Sequence, residues 1–242
     1  DVARLESRPW HWRDLAILLP IIWLFHLIVA LAAHFSGGAE QVGGGVWYLA
    51  QSLAFHWTAL AFVLLVLRRR STGWREAFGF ERRGWPRHAR QGVIAYLAAI
   101  PALVVYSLLY QAWLRFSGQP QGQQEVVEIF LSTDSAGVKA YLVFLAVALA
   151  PLAEEIVFRG MAFPVLARQI GVAKSAVIVS LAFALIHLHL PSLVPLFVMS
   201  MAFSLAYYYT GSLLVPVVMH SLFNGINISL LALADHVGKG IM

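Results

Sequence analysis

The chain has 242 residues, of which 60% are hydrophobic and only 12% are charged, and it contains no cysteine. Soluble domains carry about 25% charged residues, so this composition indicates an integral membrane protein. The missing cysteines exclude disulfides, thiolate metal sites and a cysteine nucleophile. Once the apolar segments are set aside, no stretch is long enough to bury a soluble core, so we predict a single membrane domain over residues 1–242.

A helix that crosses about 30 Å of hydrocarbon needs roughly 20 mostly apolar residues. On this criterion the sequence predicts an all-α, polytopic transmembrane helix bundle of about seven spans. The predicted spans are 15–35, 46–67, 92–116, 138–158, 175–190, 193–209 and 213–234. The first also resembles a signal peptide, but its length favours a retained helix. The fifth and sixth are short and are separated only around Pro191, which predicts a tight helical hairpin.

Between spans three and four, residues 117–137 begin with polar residues and continue with apolar side chains among acids. This pattern predicts either a short amphipathic helix at the outer interface or an ordered connecting loop.

The excess positive charge lies beside the spans. The net charge is +5, and the segment between spans two and three contains Arg68, Arg69, Arg70, Arg75, Arg82, Arg83, Arg87 and Arg90. Because short cytoplasmic loops are rich in Lys and Arg, we expect this segment and the N-terminus to be cytoplasmic. Juxtamembrane arginines suit a lipid bilayer with anionic headgroups. No soluble basic fold is present to bind nucleic acid, which we exclude as a partner.

Span four contains three ionisable residues, Glu154, Glu155 and Arg159. Charged groups inside a bilayer cost at least about 2.5 kcal/mol each on insertion scales, so they indicate a functional site. A spacing of four residues pairs Glu155 with Arg159, whereas Glu154 points about 140° away from Arg159. We therefore predict that Glu155 is neutralised and structural, and that Glu154, which has no local partner, is the candidate general base.

Three more polar residues recur inside later spans. His187 lies one turn after Phe183, and His220 and Asn224 share one face of the last span. Each residue alone also fits an interhelical hydrogen bond. Together they are most simply satisfied in one polar cavity formed by the C-terminal four helices. A general base, two imidazoles and an amide donor are the groups needed to hydrolyse an amide with water.

These residues occur in three ordered motifs: EExxxR at Glu154, FxxxH at Phe183 and HxxxN at His220. The set resembles the CAAX-protease and bacteriocin-processing family of glutamic intramembrane endopeptidases. The resemblance covers about residues 138–233. It indicates a catalytic core over residues 138–234, while residues 1–137 supply the N-terminal spans and the arginine-rich loop.

The resemblance also implies roles for individual residues. Glu154 is the catalytic base, His187 helps it to activate water, and His220 with Asn224 forms the oxyanion hole. The supporting residues are Glu155, Arg159 and Phe183. No cofactor or metal is implied. The expected substrate is a membrane-associated protein or peptide, cleaved at a site that opens toward the cytoplasmic side of a prokaryotic inner membrane.

Three alternatives remain open from the residues. A zinc protease could use His187, His189, His220 and a glutamate as ligands, although HExxH is missing. A catalytically silent member of the family could act as a membrane scaffold, chaperone or immunity factor. A transporter could relay protons through the buried acid, although no repeated half is visible in the sequence.

Overall fold

A computed structural model describes residues 5–36, 44–81, 83–118, 125–133 and 135–241. The described residues form α1 (Trp12–Phe35), α2 (Gly44–Arg70), α3 (Trp74–Phe78), α4 (Trp85–Ser117), α5 (Glu125–Ser132), α6 (Ala136–Ile170), α7 (Val172–Leu185), α8 (Leu190–Thr210) and α9 (Leu214–Ile241). This part of the chain contains no strand. The predicted all-α transmembrane bundle is confirmed.

Six helices, α1, α2, α4, α6, α8 and α9, are long and apolar enough to cross a membrane. Helix α7 has 14 residues, a length of about 21 Å that is shorter than the hydrocarbon core. The seven predicted spans therefore correspond to six full-length helices and one shorter helix. The chain is an integral membrane protein. In the segment between α4 and α6, the described residues contain the helix α5 that the amphipathic pattern predicts.

Helix α6 is longer and less regular than the predicted fourth span. It contains two π-helical segments, Leu145–Leu149 and Ile156–Ala162. Each ends two residues before a proline, Pro151 or Pro164. A proline ring lacks an N–H and clashes with the carbonyl four residues earlier, and a widened turn relieves that clash. Short π-helical turns are frequent at functional sites, and these two flank the stretch that carries both glutamates.

Helix α6 lies in the middle of the bundle and packs against α2, α7 and α9. Helices α7 and α8 form the predicted hairpin, with Pro191 in the first turn of α8 rather than between the helices. Helix α4 packs on α8 and α9. Gly92 allows this close approach, because a Cβ there would lie 2.8 Å from the Val218 Cβ and 2.9 Å from the Val215 carbonyl oxygen.

The ends of five helices meet at one end of the bundle, which we call the arginine end. It comprises the first residues of α1, α4 and α9 and the last residues of α2 and α8. Arg70 of α2 forms an ion pair with Asp14 of α1. Arg8 donates hydrogen bonds to backbone carbonyls of both the α2–α4 and the α8–α9 connections. These bonds tie the N-terminal segment to the rest of the bundle.

Candidate active site

The predicted ion pair in the middle of α6 is present and completely buried. Arg159 Nη1 donates to Glu155 Oε1 at 2.9 Å, and neither side chain is exposed. Arg159 Nη2 donates to the Ser200 carbonyl of α8 at 3.1 Å and also to the Ser200 hydroxyl. The guanidinium carbon lies 4.7 Å from the ring centroid of Phe183 and 5.1 Å from that of Phe203. The ion pair thus joins α6 to α7 and α8.

Glu155 also orients an imidazole of α9. His220 Nδ1 lies 3.0 Å from Glu155 Oε1. Because Glu155 is an ionised acceptor paired with Arg159, this ring nitrogen carries the proton, and Nε2 of the neutral imidazole has the lone pair. Nε2 lies 3.9 Å from Glu154 Oε2. The two adjacent glutamates therefore face the two nitrogens of one histidine ring.

Glu154 has different surroundings from Glu155. Its side chain is 14% exposed, whereas Glu155 is fully buried. Glu154 Oε2 accepts no hydrogen bond from any residue that the structure describes. Besides His220, Glu154 interacts electrostatically with His187 and His56. The structure thus places two imidazoles, from α2 and α9, within 4 Å of one carboxylate.

His56 of α2 is a site residue that the sequence pattern does not reveal, because a lone histidine in an apolar span predicts only an interhelical hydrogen bond. The structure places His56 beside Glu154. His56 is 5% exposed, its Nε2 lies 3.7 Å from Glu154 Oε1, and its Nδ1 is held by the Ser52 carbonyl. The sequence shows only a polar residue in an apolar helix. It does not reveal the contact with Glu154, because that contact joins two different helices. The polar site therefore extends beyond the C-terminal four helices.

His187 lies in the turn that follows α7 rather than within the helix. Its Nδ1 is 2.8 Å from the Phe183 carbonyl oxygen, so the FxxxH spacing allows the histidine to bond one turn back. Leu188 adopts a left-handed φ of 49°, which reverses the chain directly after His187. The buried Phe183 ring contacts the ring of His187 at 4.9 Å and that of His220 at 5.6 Å. Phe183 therefore packs against both imidazoles.

The imidazole nitrogens that face Glu154 are hydrogen-bond acceptors. Each of the three imidazoles uses its Nδ1–H to bond an oxygen, which leaves Nε2 as an acceptor. Three buried acceptors, Glu154 Oε2, Glu155 Oε2 and His56 Nε2, have no donor among the described residues. The nitrogen–oxygen separations of 3.7 and 3.9 Å are too long for direct hydrogen bonds. Such an arrangement suits a water molecule, which can donate two hydrogen bonds.

Asn224 lies one turn beyond His220 on α9. Its Nδ2 donates to the Ala146 carbonyl at 2.8 Å. Ala146 belongs to the first π-helical segment of α6, so this bond joins α9 to α6 where the helix is widened. An amide nitrogen has two N–H donors, so one remains for a further acceptor. This bond is directed to the backbone of α6 rather than to Glu154, and the role of Asn224 stays a prediction.

His189, the fourth ligand considered for zinc, contacts a different group. It precedes α8, and its Nδ1 lies 2.7 Å from the Ser192 hydroxyl. His187 and His189 both lie in the turn between α7 and α8. Within the described ranges, no group of three or more His, Asp and Glu side chains has the arrangement of a metal site.

Comparison with known proteins agrees with the motifs in the sequence. Residues 136–226 match the family model described as type II CAAX prenyl endopeptidase Rce1-like. No curated protein and no solved structure matches the chain. The matched range runs from the start of α6 into α9, so it includes Glu154, His187 and His220 but not His56. Over residues 136–226, the chain is thus similar to the CAAX-protease family, which supports the resemblance that the three motifs indicate.

Proposed function

We propose that the protein is a glutamic intramembrane endopeptidase that hydrolyses a peptide bond of a membrane-associated protein or peptide. The observation that carries this proposal is the position of Glu154, whose carboxylate lies 3.7 and 3.9 Å from two imidazole nitrogens in a nearly closed interior. A carboxylate that shares a water molecule with imidazole acceptors is suited to act as a general base toward that water.

In the proposed reaction, Glu154 takes a proton from water while the water oxygen attacks the carbonyl carbon of the substrate. His187, with an acceptor Nε2, helps to orient the water. The carbonyl oxygen becomes an oxyanion that accepts from the second N–H of Asn224. After Glu154 has passed the proton to Nε2 of His220, this nitrogen also donates a hydrogen bond to the oxyanion. The C–N bond then breaks, the proton moves to the departing amine, and no acyl-enzyme forms.

The neighbouring side chains hold these groups in place. Glu155 fixes the His220 ring through Nδ1, and Arg159 fixes Glu155 while bonding Ser200 of α8. Phe183 packs against both motif histidines. Positioning of this kind matters, because a displacement of about 1 Å at a reacting group can lower the rate roughly 100-fold. In this proposal, His56 is a further positioning residue that contacts Glu154 from α2.

We further propose that the arginine end faces the cytoplasm of a prokaryotic cell and that the site opens toward it. The arginines at this end support the orientation. Gly160 of α6 abuts the Phe78 ring of α3 at the arginine end. Glu155 is five residues from Gly160, which corresponds to about 7.5 Å along the helix. Glu154, one residue earlier, is therefore about 9 Å along the helix from this contact.

The decisive experiment compares cells that express the native chain with cells that express Glu154→Gln, which keeps the shape of the side chain and removes the base. Glu128→Gln is the matched control, because Glu128 is an exposed glutamate of α5. Mass spectrometry of membrane proteins and released peptides should show cleavage products with the native chain and the control, but not with Glu154→Gln. An identical peptide population in all three strains, with equal protein levels, contradicts proteolysis and favours the scaffold function.

A separate measurement decides between the metal-free reaction and a zinc protease. Purified protein is analysed for bound metal, and cleavage of a peptide identified above is measured before and after chelation. We expect cleavage to continue after chelation. Stoichiometric zinc, together with activity that is lost on chelation and restored by zinc, contradicts the proposed mechanism.

A further inference from the structure

A second polar cavity, of about 410 Å³, lies at the arginine end. It forms where the α2–α4 connection, the α8–α9 connection and the N-terminal segment meet. Its polar side chains include Arg8, Arg75, Glu81, Arg87, His88 and Ser212. Ser212 precedes α9, and His220 lies eight residues further along the chain, roughly 12 Å of helix rise. The cavity is therefore separate from the groups around Glu154, and what it binds does not depend on the proposed reaction.

The hydrogen bond between Arg87 and His88 determines which nitrogen of this cavity-lining histidine is the donor. Arg87 Nη2 lies 3.2 Å from His88 Nε2. A guanidinium only donates, so Nε2 accepts and the proton of the neutral ring is on Nδ1. His88 is 3% exposed, and its Nδ1 has no partner in the part of the chain that the structure describes. A buried N–H without an acceptor is destabilising, so an acceptor that reaches this nitrogen would stabilise the site.

Two other buried groups in the cavity wall also lack partners. The Ser212 hydroxyl and Arg8 Nε have no hydrogen-bond partner among the described residues, and both side chains are more than nine-tenths buried. Arg75 and Arg87 add two further guanidinium groups. Glu81, the one carboxylate among the described lining residues, is 44% exposed and lies 3.8 Å from Arg75. The cavity therefore combines excess positive charge with lining residues that contain buried donors without a partner among the described residues.

Glycine backbone forms one wall of this cavity. Gly79 has a φ of 75°, and a Cβ there would lie 2.8 Å from Arg8 Nη2 and would overlap the Gly211 carbonyl oxygen. A side chain at this position would displace the guanidinium of Arg8. Arg8 is thus held against the cavity by its bonds to the carbonyls of Arg75, Glu76 and Gly211.

We propose that this cavity binds the phosphate group of an anionic membrane phospholipid. Phosphate oxygens accept strong hydrogen bonds from guanidinium, hydroxyl and imidazole N–H donors. Exposed indoles of Trp12, Trp74 and Trp85 lie at the same end of the bundle, as is typical of residues at headgroup level. Basic pockets between helix ends bind lipid headgroups, which favours a lipid over a soluble phosphate.

The test uses the full chain, purified in detergent, and native mass spectrometry to measure binding of phosphatidylglycerol and phosphatidylcholine. The double variant Arg75→Gln/Arg87→Gln removes two cavity charges from exposed side chains. Arg68→Gln/Arg69→Gln removes two exposed arginines of α2 that do not line the cavity. At about 1 kcal/mol for each basic residue near a headgroup, we expect the first variant to bind phosphatidylglycerol roughly 30-fold more weakly. The second should bind it within about threefold of the native chain.

Inorganic phosphate provides the second arm of the test. Thermal unfolding of the native chain and of the two double variants is measured with and without phosphate. If phosphate stabilises the native chain at millimolar concentration while phosphatidylglycerol does not bind, a soluble anion is the ligand and the lipid assignment is wrong. Equal losses of lipid binding in the two double variants would show that surface charge alone attracts the lipid, which overturns the site. Unfolding curves of both variants that match the native chain establish that the fold is intact.

Discussion

The two adjacent glutamates of α6 should respond very differently to the same substitution. Glu155→Gln removes the charge that neutralises Arg159, and both side chains are fully buried. Loss of one member of a buried ion pair destabilises a protein by about 3–5 kcal/mol. Glu154 is 14% exposed, and its Oε2 accepts no hydrogen bond from the described residues. Gln at this position can donate to the facing imidazole nitrogens, so we expect Glu154→Gln to change stability by less than about 1 kcal/mol.

The contacts of the ion pair refine these magnitudes. In Glu155→Gln, Arg159 keeps its bonds to Ser200, and the new amide oxygen can still accept, so the expected loss is near 3 kcal/mol. In Arg159→Met, the buried Glu155 carboxylate keeps only the Nδ1–H of His220, so the loss is near 5 kcal/mol. The double variant Glu155→Gln/Arg159→Met removes both charges. It should be more stable than Arg159→Met alone, with a coupling energy of roughly 1–3 kcal/mol.

The assay is denaturation of the purified, detergent-solubilised variants, followed by loss of helical circular dichroism. All four variants are compared with the native chain under the same conditions. Similar losses for Glu154→Gln and Glu155→Gln, within about 0.5 kcal/mol, would refute the division between a structural and a reactive glutamate. A double variant less stable than Arg159→Met would refute the ion pair as the cause.

Three further outcomes are expected. His56→Phe should lower the rate of peptide cleavage roughly 100-fold without changing the unfolding midpoint, where the peptide is one identified by comparing native and Glu154→Gln cells. The control is His26→Phe, because His26 of α1 also bonds a backbone carbonyl of its own helix. This variant should leave cleavage unchanged. Gly92→Ala should destabilise the bundle by about 1–3 kcal/mol, measured by denaturation, because its Cβ would collide with α9. Since the chain contains no cysteine, labelling of single-cysteine variants shows on which side of the membrane each position lies. In inside-out vesicles, a membrane-impermeant maleimide should label Arg69→Cys but not Ser132→Cys. The reverse pattern would show that the proposed orientation is inverted.

Much of the fold and part of the site follow from local spacing in the sequence. Apolar runs of sufficient length predict the helices, because hydrocarbon thickness sets the length of a span. The four-residue spacing predicts the bond between Glu155 and Arg159, since residues at that spacing are neighbours on a helix. The same rule predicts that Phe183 and His187 are close. In each case the interacting groups belong to one helix or its end.

The features that local spacing does not predict depend on contacts between helices. His56 is about three helical turns into a different span, and the packing of α2 on α6 brings it to Glu154. The continuation of α6 to Ile170 is missed because the helix leaves the apolar core and becomes amphipathic, so its composition no longer fits a span. Pro151 and Pro164 are visible in the sequence, but a proline can break, kink or widen a helix, and the surrounding packing decides which occurs.

The arrangement of the histidines explains why one glutamate must be buried and the other accessible. A neutral imidazole has its proton on one nitrogen and its lone pair on the other, so the group that bonds Nδ1 also determines the chemistry of Nε2. For His56 and His187 that group is a backbone carbonyl, which only accepts, and Nε2 is therefore an acceptor. For His220 it is the Glu155 carboxylate, which is paired with Arg159. A glutamine at position 155 can donate from its amide to Nδ1 and reverse the two nitrogens of His220. Glu155 thus determines that the His220 nitrogen facing Glu154 is an acceptor. The proposed water site therefore requires both glutamates, although in this proposal only Glu154 contacts the water.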